Sequence, residues 1–382
     1  MTATRAIIHL ENLSHNIQEI KRTLSPKVKM CIAVKADAYG HGAVECAKTA
    51  VENGADFLAI ARVEEGKELR KNGIEVPLLI LSFVCPEEIP ELIEYKITPL
   101  VSDRDYILKI ADECKNKNIK NYPVHLAVDT GMGRIGAFPE EAGDEALFIK
   151  NTGVLKLEGM CTHFAVSDSL SEESKKATEI QYQKFLYAIE NVKSKGLDPG
   201  ICHCANSAST LYSPQMHMDM VRPGIIVYGY YADDIDRKAL KEKGIDIELK
   251  PVMTLETEVS TIRHFKKEMT IGYGRTWECS EDTDIAVLPV GYADGWLRSY
   301  AKSTVTINGK SYPIRGRICM DQCMVELGKN SGIKNWDKVI LFGDKSKGSL
   351  TDADDVAELA RTISYEVTSC ITKRVPRIFV RS

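Results

Sequence analysis

Short apolar blocks alternate along the first half of the chain with longer stretches whose apolar residues recur at helical spacing. The blocks Met30–Val34, Asp56–Ile60, Pro77–Leu81, Ile97–Val101, Tyr122–Val128 and Leu155–Thr162 predict strands. Most lack polar alternation, the pattern of strands buried on both faces. Two weaker blocks follow, Gly200–Cys204 and Asp219–Gly224. Between them the spacing predicts helices over Leu13–Leu24, Ala43–Asn53, Val63–Lys71, Pro86–Glu94, Asp103–Asn118, Glu140–Lys150, Ser171–Lys195 and Ala205–Leu211. Pro86 suits a first helical turn and Gly196 a helix stop. Eight strand–helix alternations predict an α/β fold of the (β/α)8 barrel type.

The pattern changes after Tyr231. Asp233–Ile247 is charged and linker-like, and from Pro251 short β-rich runs broken by glycine follow one another. Met253–Ile262, Ile285–Val290, Ser303–Ile307, Met324–Glu326 and Lys338–Phe342 predict a mostly antiparallel second domain, with a last helix over Thr351–Tyr365. The expected division is a barrel over 9–237 and a β-rich domain over 245–382, the latter joined by an N-terminal strand within 1–8.

Composition narrows the class. A chain of 382 residues exceeds one compact core. A net charge of -4 argues against a basic nucleic-acid surface. The eleven cysteines are scattered, and neither Cys202/Cys204 nor Cys319/Cys323 belongs to a fuller zinc spacing. No metal is expected, and reduced thiols fit a cytoplasmic location. The first residues lack the apolar block of a secretion signal, and no run is long enough to span a bilayer.

Topology groups the candidate chemistry. Lys35 follows strand one, His163 strand six, Asn206 and Ser207 strand seven, and Arg222, Gly224 and Ile225 close strand eight. All fall at C-terminal strand ends, the rim where barrel enzymes build their sites. Lys35 at the end of a buried strand is either a snorkelling strand end or an amine whose desolvation lowers its pKa and makes it a nucleophile. Tyr39 has a hydroxyl within reach of a phosphate, or is a packed loop aromatic. Ser207 and the N–H groups of Gly224 and Ile225 are natural phosphate donors, or a helix cap and a turn.

Val34-Lys-Ala-Asp-Ala-Tyr-Gly-His-Gly42 resembles the cofactor-lysine motif of the alanine racemases, barrel-type (fold type III) pyridoxal-phosphate enzymes. Further segments resemble the same family in the same order. They are Val128-Asp-Thr-Gly-Met-Gly-Arg-Ile-Gly136, His203-Cys-Ala-Asn-Ser-Ala208, Met220-Val-Arg-Pro-Gly-Ile-Ile-Val-Tyr-Gly229 and Thr270-Ile-Gly-Tyr-Gly-Arg-Thr-Trp277. Val290-Gly-Tyr-Ala-Asp-Gly295, Gly316-Arg-Ile-Cys-Met-Asp-Gln322 and Ile363-Ser-Tyr-Glu-Val367 complete the set.

The resemblance implies a role for each match. Lys35 carries pyridoxal 5'-phosphate, and Lys35 and Tyr273 exchange the Cα proton on opposite faces. Tyr39, Asn206, Ser207, Gly224, Ile225 and Tyr365 hold the cofactor on its phosphate side. His163 stacks on the ring, Arg222 faces the pyridine nitrogen, and Arg134 touches cofactor and substrate carboxylate. Tyr292, Met320 and Asp321 line the substrate side, with Arg298 and Arg317 on the entry path.

It further implies an obligate homodimer whose C-terminal domain lends Tyr273 to the neighbour, and alanine racemisation for the cell wall. A serine or broader racemase of the same fold is the alternative; a basic-amino-acid decarboxylase and a lone-barrel cofactor-binding protein are rivals from other classes. One departure stands out. Many family members carry a carbamylated lysine two residues before the aspartate of the strand-five motif, and this chain has Ala127.

Overall fold

A computed structural model describes residues 3–381; residues 1 and 2 of the expected N-terminal strand and residue 382 lie outside the described residues. The strands of the first half are β1 (Arg5–His9), β2 (Lys29–Ala33), β3 (Phe57–Ile60), β4 (Leu78–Ile80), β5 (Ile97–Val101), β6 (Tyr122–Ala127), β7 (Leu155–Cys161), β8 (Ile201–His203) and β9 (Met220–Val221). Strands β2 to β9 form one eight-stranded sheet in the order β8-β7-β6-β5-β4-β3-β2-β9. Every pairing recorded in it is parallel. Asp219 N–H donates to the Cys202 carbonyl at 3.1 Å and Arg222 N–H to that of Ala205 at 2.8 Å, joining β8 to β9 and closing the ring. This is the (β/α)8 barrel that the alternation predicts.

The unbroken apolar runs have a two-sided use. Ile32, Leu58, Ile60, Leu78 and Ile80 face the surrounding helices, while Cys31, Ala33, Phe57, Ala59, Leu79, Leu100, Ala127, Cys161 and Met220 fill the barrel interior. Several of the inner residues are small, which leaves room at the C-terminal mouth. Helix starts are set by side-chain caps: Asp103 accepts from Tyr106 N–H at 2.8 Å and Ser171 from Ser174 N–H at 3.1 Å.

The second half supplies β10 (Met253–Glu258), β11 (Thr261–Phe265), β12 (Thr270–Ile271), β13 (Trp277–Glu278), β14 (Thr283–Leu288), β15 (Thr304–Ile307), β16 (Lys310–Pro313), β17 (Cys323–Gly328), β18 (Lys338–Phe342) and β19 (Arg377–Val380). A six-stranded sheet runs β16-β15-β18-β10-β1-β19, beside a three-stranded sheet β11-β14-β17 and the pair β12-β13. β1 is antiparallel to β10 and parallel to β19, so the start of the chain sits within the C-terminal sheet.

Strands β12, β13, β16 and β19 lie outside the sequence reading, and several of its boundaries shift. The charged stretch Asp233–Ile247 holds a helix, Arg237–Glu242, because Asp236 caps Ala239 N–H at 2.7 Å and Ala239 and Leu240 bury. The single run Met253–Ile262 divides into β10 and β11. The last helix divides into Ala353–Ala360 and Ser364–Ser369, because Arg361 adopts a left-handed conformation with φ 59° and ends the first piece. Among the described residues no helix is long and apolar enough to cross a membrane.

Candidate active site

Strand β2 delivers Lys35 to the barrel mouth, and the backbone then does something its composition does not announce. Ala36, Asp37, Ala38 and Tyr39 all have φ of 53–54°, a left-handed helical turn without a glycine. Such a conformation costs roughly 1–3 kcal/mol per non-glycine residue. Surrounding structure holds it. Ala36 N–H donates to Glu65 Oε1 at 2.6 Å, and Asp37 Oδ1 accepts from Ala43 N–H at 2.7 Å. Arg377 Nε donates to the Gly40 carbonyl at 2.9 Å. Gly40 itself, at φ 85°, lies so close to the Thr368 carbonyl that a Cβ would collide with it. The C-terminal segment thus braces the turn that aims Lys35 and Tyr39.

Lys35 shares a cavity of about 360 Å³ with Arg134, His163 and Arg222, under a wall that includes Phe83 and Met132. Burial, together with the positive charge of Arg134 and Arg222, pulls the Lys35 pKa below its ordinary value, with Glu65 opposing. His163 is pushed down to about 3 by burial first and then by Arg222, Arg134 and Lys35.

Arg222 is the fixed point of the cavity. It is 8% exposed. Nη1 donates to His203 Nδ1 at 2.7 Å, and Nη2 donates to the Thr162 carbonyl at 2.7 Å and the Cys204 carbonyl at 3.2 Å. His163 Nδ1 lies 3.4 Å from the same Nη2. A guanidinium bonded on both arms cannot swing, and it offers only donors.

Tyr39, Ser207 and Gly224 come into close contact. Gly224 N–H donates to Ser207 Oγ at 2.8 Å. A Cβ at position 224 would stand 2.7 Å from Tyr39 Oη and 3.6 Å from Ser207 Oγ, so glycine there lets the Tyr39 hydroxyl approach the backbone. The Tyr39 and Tyr365 rings lie 5.9 Å apart. Burial raises the Tyr39 phenol to about 12 and moves Tyr365 in the same direction, so both hydroxyls stay protonated donors. Ile225 is fully buried behind Gly224. Asn206 acts as a cap here: its Oδ1 accepts from Ser209 N–H at 3.1 Å and from Ser167 Oγ at 3.0 Å.

Ala127 also lines the cavity. Arg134 is exposed and makes no ion pair with any described residue.

The remaining candidates lie elsewhere. Tyr273 is 72% exposed and forms a second cavity of about 330 Å³ with Tyr292, Arg298, Arg317 and Ile318. Met320 is exposed on the adjoining loop, where Ala293 N–H donates to its carbonyl at 3.0 Å, and Asp321 pairs with Arg374 at 2.9 Å. No residue of this cavity lines the one around Lys35. Within the described chain the two cavities stay separate.

Sequence reasoning missed Gln181 and His203. Gln181 Nε2 donates to the His163 carbonyl at 3.1 Å and to Thr130 Oγ1 at 3.2 Å, tying two rim loops together. It sits mid-helix with no local signal. His203 opens a quoted motif, and its place on a barrel strand was the available clue.

The family description "Alanine racemase, N-terminal domain" matches residues 8–232, and "Alanine racemase, C-terminal domain" matches residues 252–379. The chain belongs to the alanine racemase family. The alanine racemase of Treponema denticola is 47% identical over 382 residues, covering 100% of this chain and 99% of that one. The alanine racemase of Treponema pallidum subsp. pallidum is 40% identical, covering 100% of both. Among solved structures, the alanine racemase of Clostridium difficile 630 superposes with a TM-score of 0.92 at 37% identity, covering 100% of this chain and 97% of that one. The alanine racemase of Bacillus anthracis with bound L-Ala-P gives 0.90 at 33%, covering 100% and 96%. The first match falls on the barrel half and the second on the C-terminal β half.

Proposed function

We infer that this chain interconverts L- and D-alanine with pyridoxal 5'-phosphate as its cofactor, making D-alanine for peptidoglycan. The observation that carries this reading is the pairing, in one cavity, of a desolvated Lys35 with an immobilised Arg222. The cofactor fits the residues present. Gly224, the only residue type that fits there, brings Tyr39 Oη and Ser207 Oγ to one backbone N–H, and His163 lines the same cavity as Lys35 and Arg222. Tyr39, Ser207, Gly224, Ile225 and Tyr365 would hold the phosphate and Asn206 would shape its loop.

When bound, pyridoxal phosphate supplies a carbonyl for the substrate amine and a ring that takes up negative charge from Cα. Arg222 would face the ring nitrogen of the bound cofactor as a donor that cannot give up its proton, which would limit how much charge the ring accepts. That favours exchange of one proton over transamination or decarboxylation. Lys35 Nζ, its pKa lowered, takes or returns the Cα proton on one face. Tyr273 Oη does so on the other. Arg134, free of internal partners, binds the substrate carboxylate.

Tyr273, Tyr292, Met320 and Asp321 reach this cavity from a second copy of the chain, which makes the active enzyme a homodimer. The free state of all eleven cysteines among the described residues supports a reducing, cytoplasmic setting.

The deciding experiment follows D/L interconversion of alanine, serine, lysine and arginine by circular dichroism, with carbon dioxide release in parallel. Alanine is expected to turn over with the highest kcat/KM and without carbon dioxide. Faster serine turnover would reassign the substrate, and carbon dioxide release would overturn the reaction class.

Gly224 tests the phosphate cradle separately. Gly224→Ala sets a methyl against Tyr39 Oη, and cofactor affinity should fall roughly tenfold or more. Absorbance titration of the cofactor-free protein reads it, and unchanged affinity would move the phosphate site.

A further inference from the structure

Arg222 is a buried cation with no carboxylate in contact among the described residues. Its Nη1 instead opens a chain of side chains running through the barrel. His203 Nδ1 lies 2.7 Å from Nη1, and His203 Nε2 lies 2.8 Å from His125 Nδ1. His125 Nε2, which has no hydrogen-bond partner, lies 3.6 Å from Glu158 Oε2.

The donor inventory fixes the direction of this chain. Arginine only donates, so His203 Nδ1 accepts and its proton sits on Nε2. His203 Nε2–H then donates to His125 Nδ1, which leaves the His125 proton on Nε2. That last N–H faces the Glu158 carboxylate. Both rings are fully buried, and burial keeps both pKa values below the ordinary histidine range.

The backbone is arranged around this line. In the β6–β7 ladder Val124 pairs with Leu157 and His125 with Gly159, so Glu158 is the extra residue of a bulge. Bulges re-aim side chains. Next to it, a Cβ on Gly159 would stand 2.5 Å from the Ile201 carbonyl and 2.7 Å from His125 Cε1, so glycine there admits both the neighbouring strand and the ring.

We propose that Glu158 is a positioning residue for the reaction: through neutral His125 and His203 it anchors the tautomers and the Arg222 guanidinium on the far side of the barrel. The Glu158 carboxylate, 3.6 Å from His125 Nε2 and short of hydrogen-bond contact, attracts that N–H electrostatically, and the two hydrogen bonds beyond it carry the polarisation to Arg222. The proposal rests on the reading that Arg222 faces the cofactor ring.

The test uses ¹⁵N-histidine-labelled protein and the series Glu158→Gln, which keeps a neutral acceptor, and Glu158→Ala, which keeps none. In the parent protein, with and without cofactor, His125 and His203 should both be neutral Nε2–H tautomers. Along the series the ring nitrogens of His203, which does not touch Glu158, should shift progressively, more in Ala than in Gln. In Glu158→Ala, kcat for alanine should fall on the order of tenfold with KM nearly unchanged, the size seen for lost outer-shell partners elsewhere. His203 resonances that stay put, or an Nδ1–H tautomer on either ring, would overturn the proposal. Those spectra of the cofactor-free protein stand whatever Arg222 faces. Arg222→Lys tests that reading instead, because an unchanged cofactor absorbance would refute it, whereas the histidine tautomers are read in the parent protein.

Discussion

Tyr273→Phe should reduce removal of the Cα proton from L-alanine by about 10²–10⁴-fold, the usual worth of one positioned acid–base group. The change deletes a single oxygen. Tyr273 is 72% exposed and its hydroxyl has no hydrogen-bond partner among the described residues, so the fold loses nothing that a thermal melt would detect. Lys35, Arg222 and the cradle are untouched, so cofactor affinity and absorbance should match the parent. Proton loss from D-alanine, assigned to Lys35, should persist in the variant even though net racemisation stops. Deuterium incorporation from heavy water into each enantiomer separates these steps. Undiminished exchange from L-alanine would remove Tyr273 from the reaction and leave Lys35 as the only base.

Much of this layout was legible in the residues because strand ends are. Apolar blocks locate β2 and β7, and in a barrel each C-terminal strand end points at one mouth, so Lys35, His163 and Arg222 had to meet. The left-handed turn was not legible. Ala36, Asp37, Ala38 and Tyr39 are none of them residues that prefer positive φ strongly, and the partners that hold them, Glu65 and Arg377, are distant in sequence. Local propensity carries no trace of a conformation imposed by tertiary contacts. The line from Arg222 to Glu158 was hidden for the same reason. It depends on a bulge, and a one-residue register shift leaves no mark in a hydrophobic pattern. Ala127 was visible as a departure, and it lines the cavity in which Arg134 makes no ion pair with any described residue.

Two inactive chains should together make an active enzyme. Lys35→Ala leaves the barrel half without its amine and Tyr273→Phe leaves the C-terminal half without its phenol. If each site takes its lysine from one chain and its tyrosine from the other, a mixed dimer holds one site with both groups and one with neither. Random pairing makes half of the dimers mixed, so about a quarter of all sites are restored and about a quarter of the parental rate returns. Should both groups come from one chain, no pairing repairs either defect and the mixture stays inactive. The separation of the two cavities favours the first outcome, since the residues around Tyr273 and those around Lys35 have no member in common. Co-expression with two different affinity tags, isolation of the doubly tagged species and a racemisation assay decide it. The purified mixed dimer, with one of its two sites whole, should run at about half the parental rate per dimer.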